Sequence, residues 1–400
     1  MKIRVALIGN MNNNHFTLTR YLRDRGVDAE LLLFNNEHEH FHPKCDTYDT
    51  GYMDFVRQLS WGDVMGFTVT LSQQIRKDLS AYDVLIGCGL SPAYCAKAKI
   101  SLDIFVPYGD DIWTDTLYRW VSPHRIPRLW IAVSNQRRAI GKAKVFHMGL
   151  TNGLYEEQYK KFGGNSKRWL ENLPMVYAPI YTRDQLSQMI TRTHWGHEFA
   201  KIREEADLMV MAHMRHSWGE ATDPNAKGVD ILLRGWKLFC DQKPNLSARL
   251  VFMEYGQDID KTRSLISELG LHARVAWLPK MYRKDIMVGL HMADIVCGEF
   301  LNSWISSGVL YEGLVAGKPI LAWRDDSLYT DDYPTLYPIL KAQTPQSIAE
   351  RLSEYMQNPI KYKQMGDKGQ HWYSMEVVEP TLKKYVKYIQ QRAVELGKTL

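Results

Sequence analysis

The sequence predicts an α/β protein built from two doubly wound parallel sheets, and three observations support that prediction. At 400 residues the chain is long enough for two domains that each bury a core of their own. Short apolar runs alternate with helical segments, which is the pattern of parallel sheets covered on both faces. The alternation starts afresh near residue 208. We therefore expect two similar domains facing a cleft, with ligands at the carboxyl ends of their strands.

The first domain, assigned to residues 1–178, opens with a β-α-β unit. An apolar run over 3–8 is typical of a buried parallel strand, and a turn at Gly9 leads into a helix over about 15–25. Residues 29–34 form the second strand, after a right-handed crossover. The other elements are expected as helices over 52–59 and 71–79 and as strands over 84–88, 104–106, 129–133 and 144–146.

The second domain, assigned to residues 179–375, follows a stretch around Pro174 with two prolines and no clear period, which reads as a linker. A polar helix over 184–205 leads into a second alternation of strands and helices. Residues 376–400 are predicted to form a last helix that crosses back onto the first domain. The strands of the second domain are expected over 208–212, 248–253, 275–277, 295–297 and 320–322, and its helices over 229–240, 261–269, 284–291 and 308–315.

The composition argues against several classes of protein. With 45% hydrophobic and 24% charged residues and no run of about 18 apolar residues, the chain is not expected to span a membrane. Its five cysteines form no C-x-x-C pair, which argues against a disulfide framework and a zinc site. A metal site at His38, His40 and His42 is not favoured, because no second ligand group fixes its geometry. The scattered cysteines fit a reducing, cytoplasmic setting best.

A basic segment with interleaved tryptophans covers residues 119–144. Seven Arg and Lys residues lie between Asp115 and Glu156, and no acidic residue does. Three interpretations stay open for this segment: a solvated face, a surface for anionic phospholipid, or a groove for an acidic polymer. Nucleic acid is not an expected partner.

The helix predicted over 308–315 has the features of an anion site. Ser306 and Ser307 are suitable caps, Gly308 leaves the first turn bare, and Gly317 ends the helix. The free N–H groups and the dipole of such a helix start favour phosphate. Glu312 lies one turn deeper on the same face, where its carboxylate can accept hydrogen bonds from sugar hydroxyls. The alternative is an ordinary helix with a surface glutamate.

Two cations are predicted at the same edge of the second sheet. Arg215 follows the strand over 208–212, and Lys227 precedes the helix that begins near Val229. Each cation alone is typical of a solvated surface charge. Beside the helix start at Ser307 and Gly308, the two together predict a cradle for a pyrophosphate.

The order of these motifs resembles that of a known family. After Arg215 come KGVD at 227–230, LVFMEYGQD, ELGLHARVAWLPKM, ADIVCGEF and GVLYEGLVAGKPIL. This series resembles glycosyltransferases of the GT-B fold, in particular the retaining family 4 group with its C-terminal domain of the glycosyltransferase group 1 type. The resemblance covers residues 208–325 well and the N-terminal half more loosely. It implies two Rossmann-like domains facing a cleft.

The resemblance also implies roles for individual residues of the second domain. Arg215 and Lys227 hold the diphosphate of a UDP- or GDP-linked sugar and act as the catalytic cations, and Glu312 binds the ribose. The backbone over 277–281 receives the base. Such a site stabilises negative charge on the departing nucleoside diphosphate. The family usually has two glutamates separated by seven residues, but Trp304 stands at the first of these places. Glu299 is expected to bind the donor sugar instead.

In the first domain, the segment over 108–111 resembles the family's segment in which a histidine precedes Gly-x-Asp. Tyr108 takes the place of the histidine, and Asp111 is the expected ligand of an acceptor hydroxyl. The alternative for Asp111 is a loop carboxylate that caps a helix. Gly9 and Asn13 are expected to approach the donor phosphates, again by resemblance.

The sequence therefore predicts a metal-independent enzyme without a cofactor, which transfers a sugar from a nucleotide diphosphate to a saccharide, a lipid-linked or a small-molecule acceptor. Retention of configuration is expected from the resemblance. Two alternatives stay open: a nucleotide-sugar epimerase of the same fold, which needs no acceptor, and a two-lobed nucleotide-sugar-binding protein without turnover. A phosphorylase is not favoured, because no motif indicates a lysine for pyridoxal phosphate.

Overall fold

The structure is a computed structural model that describes residues 1–109, 111–112, 127–149, 154–220 and 226–400. The chain divides into two compact units. The first unit comprises Met1–Tyr177 and Val377–Leu400, and the second comprises Ala178–Glu376. Each unit contains a parallel sheet with helices, so the predicted α/β class with two doubly wound domains is confirmed.

The first unit contains a seven-stranded sheet in the order β3-β2-β1-β4-β5-β6-β7, and every strand pair is parallel. The strand order reverses between β1 and β4, so their carboxyl ends form the point at which such sheets bind ligands. The strands are β1 (Arg4–Ile8), β2 (Asp28–Leu33), β3 (Val56–Gln58), β4 (Val84–Gly87), β5 (Ile104–Phe105), β6 (Val145–His147) and β7 (Lys167–Trp169).

Six α-helices of the first unit lie in its described residues. The last one comes from the C-terminus of the chain, where Thr381 Oγ1 donates to the carbonyl of Asn172 at 2.9 Å and the hydroxyl of Tyr385 lies 2.8 Å from Nδ1 of His147. The helices are α1 (Asn14–Asp24), α2 (Ser72–Leu79), α3 (Ser91–Lys97), α4 (Pro127–Ile140), α5 (Leu154–Phe162) and α14 (Glu379–Glu395). Short 3-10 turns cover Met11–Asn13, Glu39–Phe41, Pro43–Cys45 and Gly51–Asp54.

Two secondary-structure predictions in the first unit are wrong. The apolar run over 129–133 is part of helix α4 and not a strand, because apolar side chains recur beyond it at helical spacing, with Ala139 and Ile140 buried beside Ala132 and Val133. The helix predicted over 52–59 is instead a 3-10 turn followed by β3. This strand forms the edge of the sheet, where two of its three residues are exposed and no apolar run marks it.

The second unit contains a six-stranded parallel sheet in the order β10-β9-β8-β11-β12-β13. Its order reverses between β8 and β11. The strands are β8 (Leu208–Ala212), β9 (Ala248–Met253), β10 (Val275–Leu278), β11 (Ile295–Cys297), β12 (Ile320–Ala322) and β13 (Leu340–Lys341). The α-helices are α6 (Leu186–Arg192), α7 (Gly196–Glu204), α8 (Val229–Gln242), α9 (Ile259–Glu268), α10 (Arg283–Met292), α11 (Gly308–Val315), α12 (Pro345–Gln357) and α13 (Pro359–Trp372).

The structure divides the polar helix that was predicted over 184–205. This segment is interrupted between α6 and α7, where Thr193 Oγ1 donates to Asp285 Oδ1 at 2.6 Å. The C-terminal part of the chain contains α12, α13 and α14, with a π-helical turn over Tyr373–Val378 between the last two. In the part of the chain that the structure describes, no helix combines the length and apolar character needed to cross a bilayer.

Candidate functional site

The candidate site of the second unit lies where the strand order reverses. His213 directly follows β8, and Glu299 comes two residues after β11. These strands are neighbours, so the polar residues after them meet at one edge of the sheet. Helix α11 begins at the same edge and ends before β12.

Glu312 on α11 is buried and holds two partners. Its Oε2 lies 2.8 Å from Nε2 of His213, and its Oε1 accepts from Nε of Arg283 at 2.7 Å. Burial opposes ionisation of this carboxyl, but the charge of Arg283 and the hydrogen bond with His213 outweigh burial and hold the pKa of Glu312 below its ordinary value. Glu312 is therefore an ionised acceptor at neutral pH, and the alternative of a surface glutamate is wrong for this residue.

A second buried pair joins Lys227 to Glu299. The ammonium of Lys227 lies 2.7 Å from Oε1 of Glu299, and the side chains are 15% and 5% exposed. Oε2 of Glu299 is buried and has no hydrogen-bond partner among the described residues. A buried carboxylate oxygen without a partner is costly, so this atom is available to a ligand hydroxyl.

The backbone fixes the position of Lys227. Its N–H donates to the carbonyl of Ser217 at 2.7 Å, and its carbonyl accepts from the N–H of Phe300 at 3.1 Å. Gly228 follows in the left-handed region with φ +69° and caps α8, and a Cβ at this position would approach Cβ of Phe300 to 3.1 Å. The loop before α8 and the loop after β11 are therefore held together at the base of the Lys227–Glu299 pair.

The start of α11 has an open side. Ser307 caps the helix, as predicted, through Oγ, which accepts from the N–H of Leu310 at 3.3 Å. A Cβ built on Gly308 would meet no atom within 4 Å, so there is room beside the first turn. The Nε1 atom of Trp304, which stands at the place of the expected first glutamate, is buried and has no partner among the described residues.

Arg215 is exposed on a loop that Asp258 braces. The Oδ2 atom of Asp258 accepts from the N–H groups of Trp218 at 2.7 Å and Gly219 at 2.9 Å. Nδ1 of His216 lies 3.0 Å from Oγ1 of Thr262. Arg215 is thus presented to solvent from a well-anchored loop.

The segment over 277–281, which was predicted to receive the base, begins with a packed side chain. The ring of Trp277 lies 5.1 Å from the ring of His216 and 5.4 Å from that of Phe252. Arg263 covers the ring of Trp277, with its guanidinium carbon 5.3 Å from the ring centroid. The side chain of Trp277 is thus engaged within the second unit, and recognition of a base by the backbone of this segment stays a prediction.

Gly9 directly follows β1 in the first unit, and its backbone conformation and close neighbours require a glycine. Its φ is +79°, and a Cβ would come within 2.7 Å of Cε2 of Phe34 and 2.8 Å of Sγ of Cys88. Asn13 is buried, with Nδ2 donating to the carbonyl of His40 at 3.2 Å and Oδ1 accepting from Asn10 at 2.9 Å. The side chain of Asn13 is thus engaged within the first unit, and its role toward a donor stays a prediction.

The carboxylate of Asp111 is fully buried and braces the loop after β5. Its Oδ2 accepts from the N–H of Gly89 at 2.9 Å, and its Oδ1 accepts from the N–H groups of Tyr108 at 3.0 Å and Gly109 at 3.2 Å. Tyr108 is half-buried and lines a small recess with His15. Asp111 is thus a loop carboxylate that holds backbone N–H groups, and an acceptor-binding role for Asp111 or Tyr108 stays a prediction.

The basic segment over 119–144 is described only in part, since Asp110 and residues 119–126 lie outside the described residues. From Pro127 onward it forms α4 and the turn after it. Arg128, Trp130, Ile131 and Arg138 are exposed on this helix. Within the described ranges, no group of three or more His, Cys, Asp or Glu side chains is arranged to hold a metal ion.

Two residues of the site were missed by the sequence analysis, His213 and Arg283. His213 is the first residue after a predicted strand, and Arg283 precedes a predicted helix, which are both positions where site residues occur. Their pairing with Glu312 joins residues 99 and 29 positions apart. The only sequence signal was indirect: a carboxylate on the apolar helix α11 needs partners if it is buried.

Comparison with known proteins supports the family resemblance that the motifs of the second unit predict. Residues 221–372 match the family described as glycosyl transferases group 1. No curated protein matches the sequence significantly.

Solved structures with the same fold match nearly the whole chain. Anabaena HepE, in complex with UDP-glucose, is 16% identical with a TM-score of 0.60, and the match covers 99% of each chain. The sucrose-phosphate synthase of Thermosynechococcus elongatus is 12% identical with a TM-score of 0.57, covering 98% of this chain and 99% of that one. A proposed UDP-N-acetylglucosamine 2-epimerase from Listeria monocytogenes is 12% identical with a TM-score of 0.57, covering 99% and 98%.

The predicted resemblance is therefore confirmed: the chain has the GT-B fold, and residues 221–372 of its second unit match the family of group 1 glycosyl transferases.

Proposed function

We propose that the protein is a hexosyltransferase that takes a UDP- or GDP-linked sugar as donor and binds its diphosphate with Lys227, Arg215 and the start of α11. The observation that carries the proposal is the Lys227–Glu299 pair at the reversal of strand order, within the group 1 glycosyltransferase match. Anabaena HepE, which has the same fold, is in complex with UDP-glucose. A nucleotide diphosphate sugar is therefore the substrate class that this site fits best.

The chemistry follows from where negative charge develops. When the bond between the sugar and the diphosphate breaks, charge accumulates on the departing phosphate, and fixed cations and helix N–H groups stabilise that charge. Lys227 is already charged and oriented by Glu299, so it needs little rearrangement to accept a phosphate as a further partner. The two cations and the open turn at Gly308 supply this stabilisation without a metal or a cofactor.

Glu312 and Glu299 are assigned to hydroxyl groups of the donor. Glu312 is held ionised by Arg283 and His213, and its remaining lone pairs are suited to the ribose hydroxyls. The second oxygen of Glu299 is suited to a hydroxyl of the transferred sugar, in place of the glutamate that Trp304 replaces. Retention of configuration is proposed on the resemblance to the family 4 group.

The acceptor is proposed to be a saccharide, lipid-linked or small molecule that binds through the first unit, with Tyr108 and Asp111 as candidates. A lipid-linked acceptor is supported by helix α4, where Arg128 and Arg138 are exposed together with Trp130, 44% exposed, and Ile131, 39% exposed. Basic and apolar side chains on one exposed helix are suited to the surface of an anionic membrane. A cytoplasmic location is proposed because all five cysteines are free thiols.

The membrane contact is tested with liposomes. The protein is expected to sediment with vesicles that contain anionic phospholipid and to be released by salt, and Arg128→Glu with Trp130→Ala is expected to weaken this binding at least tenfold. Equal binding to neutral vesicles, or none to anionic vesicles at low salt, would contradict the proposed contact.

The donor site is tested by measuring release of nucleoside diphosphate and transfer from UDP- and GDP-sugars. Arg215→Ala and Lys227→Ala are each expected to lower turnover by about 100- to 1,000-fold, as loss of a group that stabilises the departing charge does. Lys237→Ala, which removes a half-buried cation on α8 that pairs with Asp241, is the control and is expected to keep full activity. Full activity of both site variants would remove the proposed phosphate cradle.

The same assay separates the alternatives. An epimerase, the activity named for the Listeria relative, changes the sugar of its nucleotide substrate without any acceptor. A transferase releases nucleoside diphosphate faster when its acceptor is present, and a binding protein releases none. Acceptor-dependent release that Lys227→Ala abolishes is the outcome we expect.

A further inference from the structure

The second unit contains a cavity at the edge of its sheet opposite the candidate donor site. It has a volume of about 400 Å³. Among its lining residues are Ala293 and Asp294, which precede β11, and Pro319, which precedes β12. The candidate donor site follows the carboxyl end of β11, so the cavity at the amino ends of these strands is a separate place.

Three cationic side chains line this cavity, which we name the basic cavity: Arg183, Lys318 and Lys363. Burial is the main cause that lowers the pKa of Lys318 to about 8; the charges of Arg183, Arg203 and Lys363 act in the same direction, and the attraction of Asp294 opposes them. An ammonium group that is partly desolvated among other cations gains strongly from an anion beside it.

The carboxylate in the lining does not neutralise this charge fully. Asp294 pairs with Arg203 and accepts from the N–H of Met209 at 2.8 Å. Arg183 lies 2.9 Å from Asp367, but both side chains are about half exposed, so that pair is weak. His291 also lines the cavity. Burial lowers its pKa to about 4, so the ring is neutral at pH 7 and adds no positive charge to the cavity.

The start of helix α13 adds to the attraction for anions. Pro359 and Ile360, its first two residues, line the cavity, and the helix is 14 residues long. Because these first residues line the cavity, the positive end of the helix dipole lies beside it, and the side chain of Asn358 caps the N–H of Lys361. Helix α13 lies close to the end of α11, because Gly366 has no side chain: a Cβ there would be 2.3 Å from the carbonyl oxygen of Gly317.

We propose that the basic cavity binds the phosphate group of a small phosphorylated molecule. Lys318, Arg183 and Lys363 recognise the phosphate, together with the start of α13. Ile360, Pro359 and Tyr355 provide an apolar wall for the rest of the molecule. The volume is well above what one phosphate ion fills and lies within the usual range of small-molecule sites. This site does not depend on the proposed function of the donor site.

The experiment measures binding of glucose 6-phosphate, inorganic phosphate and glucose to the full chain by calorimetry and thermal unfolding. Glucose 6-phosphate is expected to bind saturably and to raise the melting temperature, while glucose is not. Equal affinity for inorganic phosphate would support the same site with the free ion as ligand, and tighter binding of the ester would support a phosphorylated molecule.

Variants separate the basic cavity from the donor site. Lys318→Met keeps the aliphatic stem and is expected to weaken binding at least tenfold, whereas Lys227→Ala keeps it. Arg183→Ala with Lys363→Ala changes only exposed or half-exposed side chains and serves if Lys318→Met does not fold. Lys237→Met is the control. Loss of phosphate binding in Lys227→Ala but not in these variants would overturn the proposal, as would the absence of binding to the wild type.

A measurement without variants gives a second test. Lys318 is expected to react with an amine-directed acylating reagent near pH 8, because the free amine is then abundant. Glucose 6-phosphate at saturation is expected to protect Lys318 at least fivefold in mass-spectrometric mapping, and to leave Lys237 unprotected. Equal labelling of Lys318 with and without the phosphate ester would overturn the proposal.

Discussion

Buried carboxylates at the carboxyl edges of the two sheets have different kinds of hydrogen-bond partner. In the second unit, Glu312 and Glu299 are held by charged or titratable side chains, His213, Arg283 and Lys227. In the first unit, Asp111 is held by backbone N–H groups. A side-chain pair can admit a ligand by moving one side chain, whereas a hydrogen bond from a backbone N–H to a carboxylate is released only if the loop moves. The carboxylates of the second unit are therefore expected to exchange partners more easily than the backbone hydrogen bonds of Asp111.

The largest expected effect comes from breaking a side-chain pair. Lys227→Met leaves the carboxylate of Glu299 buried without its cation, and we expect the second unit to lose about 3 kcal/mol of stability. The double variant Lys227→Met with Glu299→Gln is expected to regain most of that loss and to remain inactive. Urea unfolding followed by fluorescence, with Lys237→Met as the control, measures both effects. A double variant no more stable than the single one would show that the pair is not coupled.

A smaller effect is expected in the first unit from Asp111→Asn. The amide keeps one acceptor oxygen but turns its NH₂ group toward backbone N–H groups, so about 2 kcal/mol of stability is lost there. Donor binding to the second unit is expected to stay unchanged in a calorimetric titration with UDP. Wild-type stability combined with loss of transfer would instead support Asp111 as a ligand of the acceptor.

The smallest effect concerns the pH dependence of Glu312. Its pKa is lower in the folded protein than its ordinary value, so its contribution to stability is present above that ordinary value and is lost as the pH falls through the folded pKa. Glu312→Gln is expected to cost about 1.5 kcal/mol at pH 7. The difference from wild type should shrink as the pH falls below about 4.5. A difference that stays constant down to pH 3 would contradict an ionised Glu312.

The sequence was sufficient for most of the fold because buried parallel strands are continuous apolar runs. β8, β9 and β11 have the predicted bounds, and so does α11, whose cap residue Ser307 and terminal Gly317 mark its ends. The prediction of strands failed where this apolar signal is weak or ambiguous. β3 and β13 lie at sheet edges, β7 has one buried residue, and the apolar run in α4 has the same length as a strand.

The site was predictable as a list of residues but not as a set of pairs. Lys227, Glu299, Ser307 and Glu312 do lie at one edge of the second sheet, because the carboxyl ends of parallel strands meet there. The sequence does not show that Lys227 bonds to Glu299, because 72 residues separate them and only the loop geometry after β11 brings them together. The partners of Glu312 were missed for the same reason.

The glycine at 366 limits how the sequence of this protein can vary. A methyl group there would collide with a backbone oxygen of Gly317, which no side-chain rotation relieves. A Cβ on Gly369, one turn later on α13, would lie 2.7 Å from Cδ2 of Leu314, a contact that a rotamer change can ease. In a saturation library of α13, position 366 should therefore accept glycine alone, position 369 should accept alanine in some backgrounds, and exposed positions such as Lys363 should vary freely unless phosphate is required for selection.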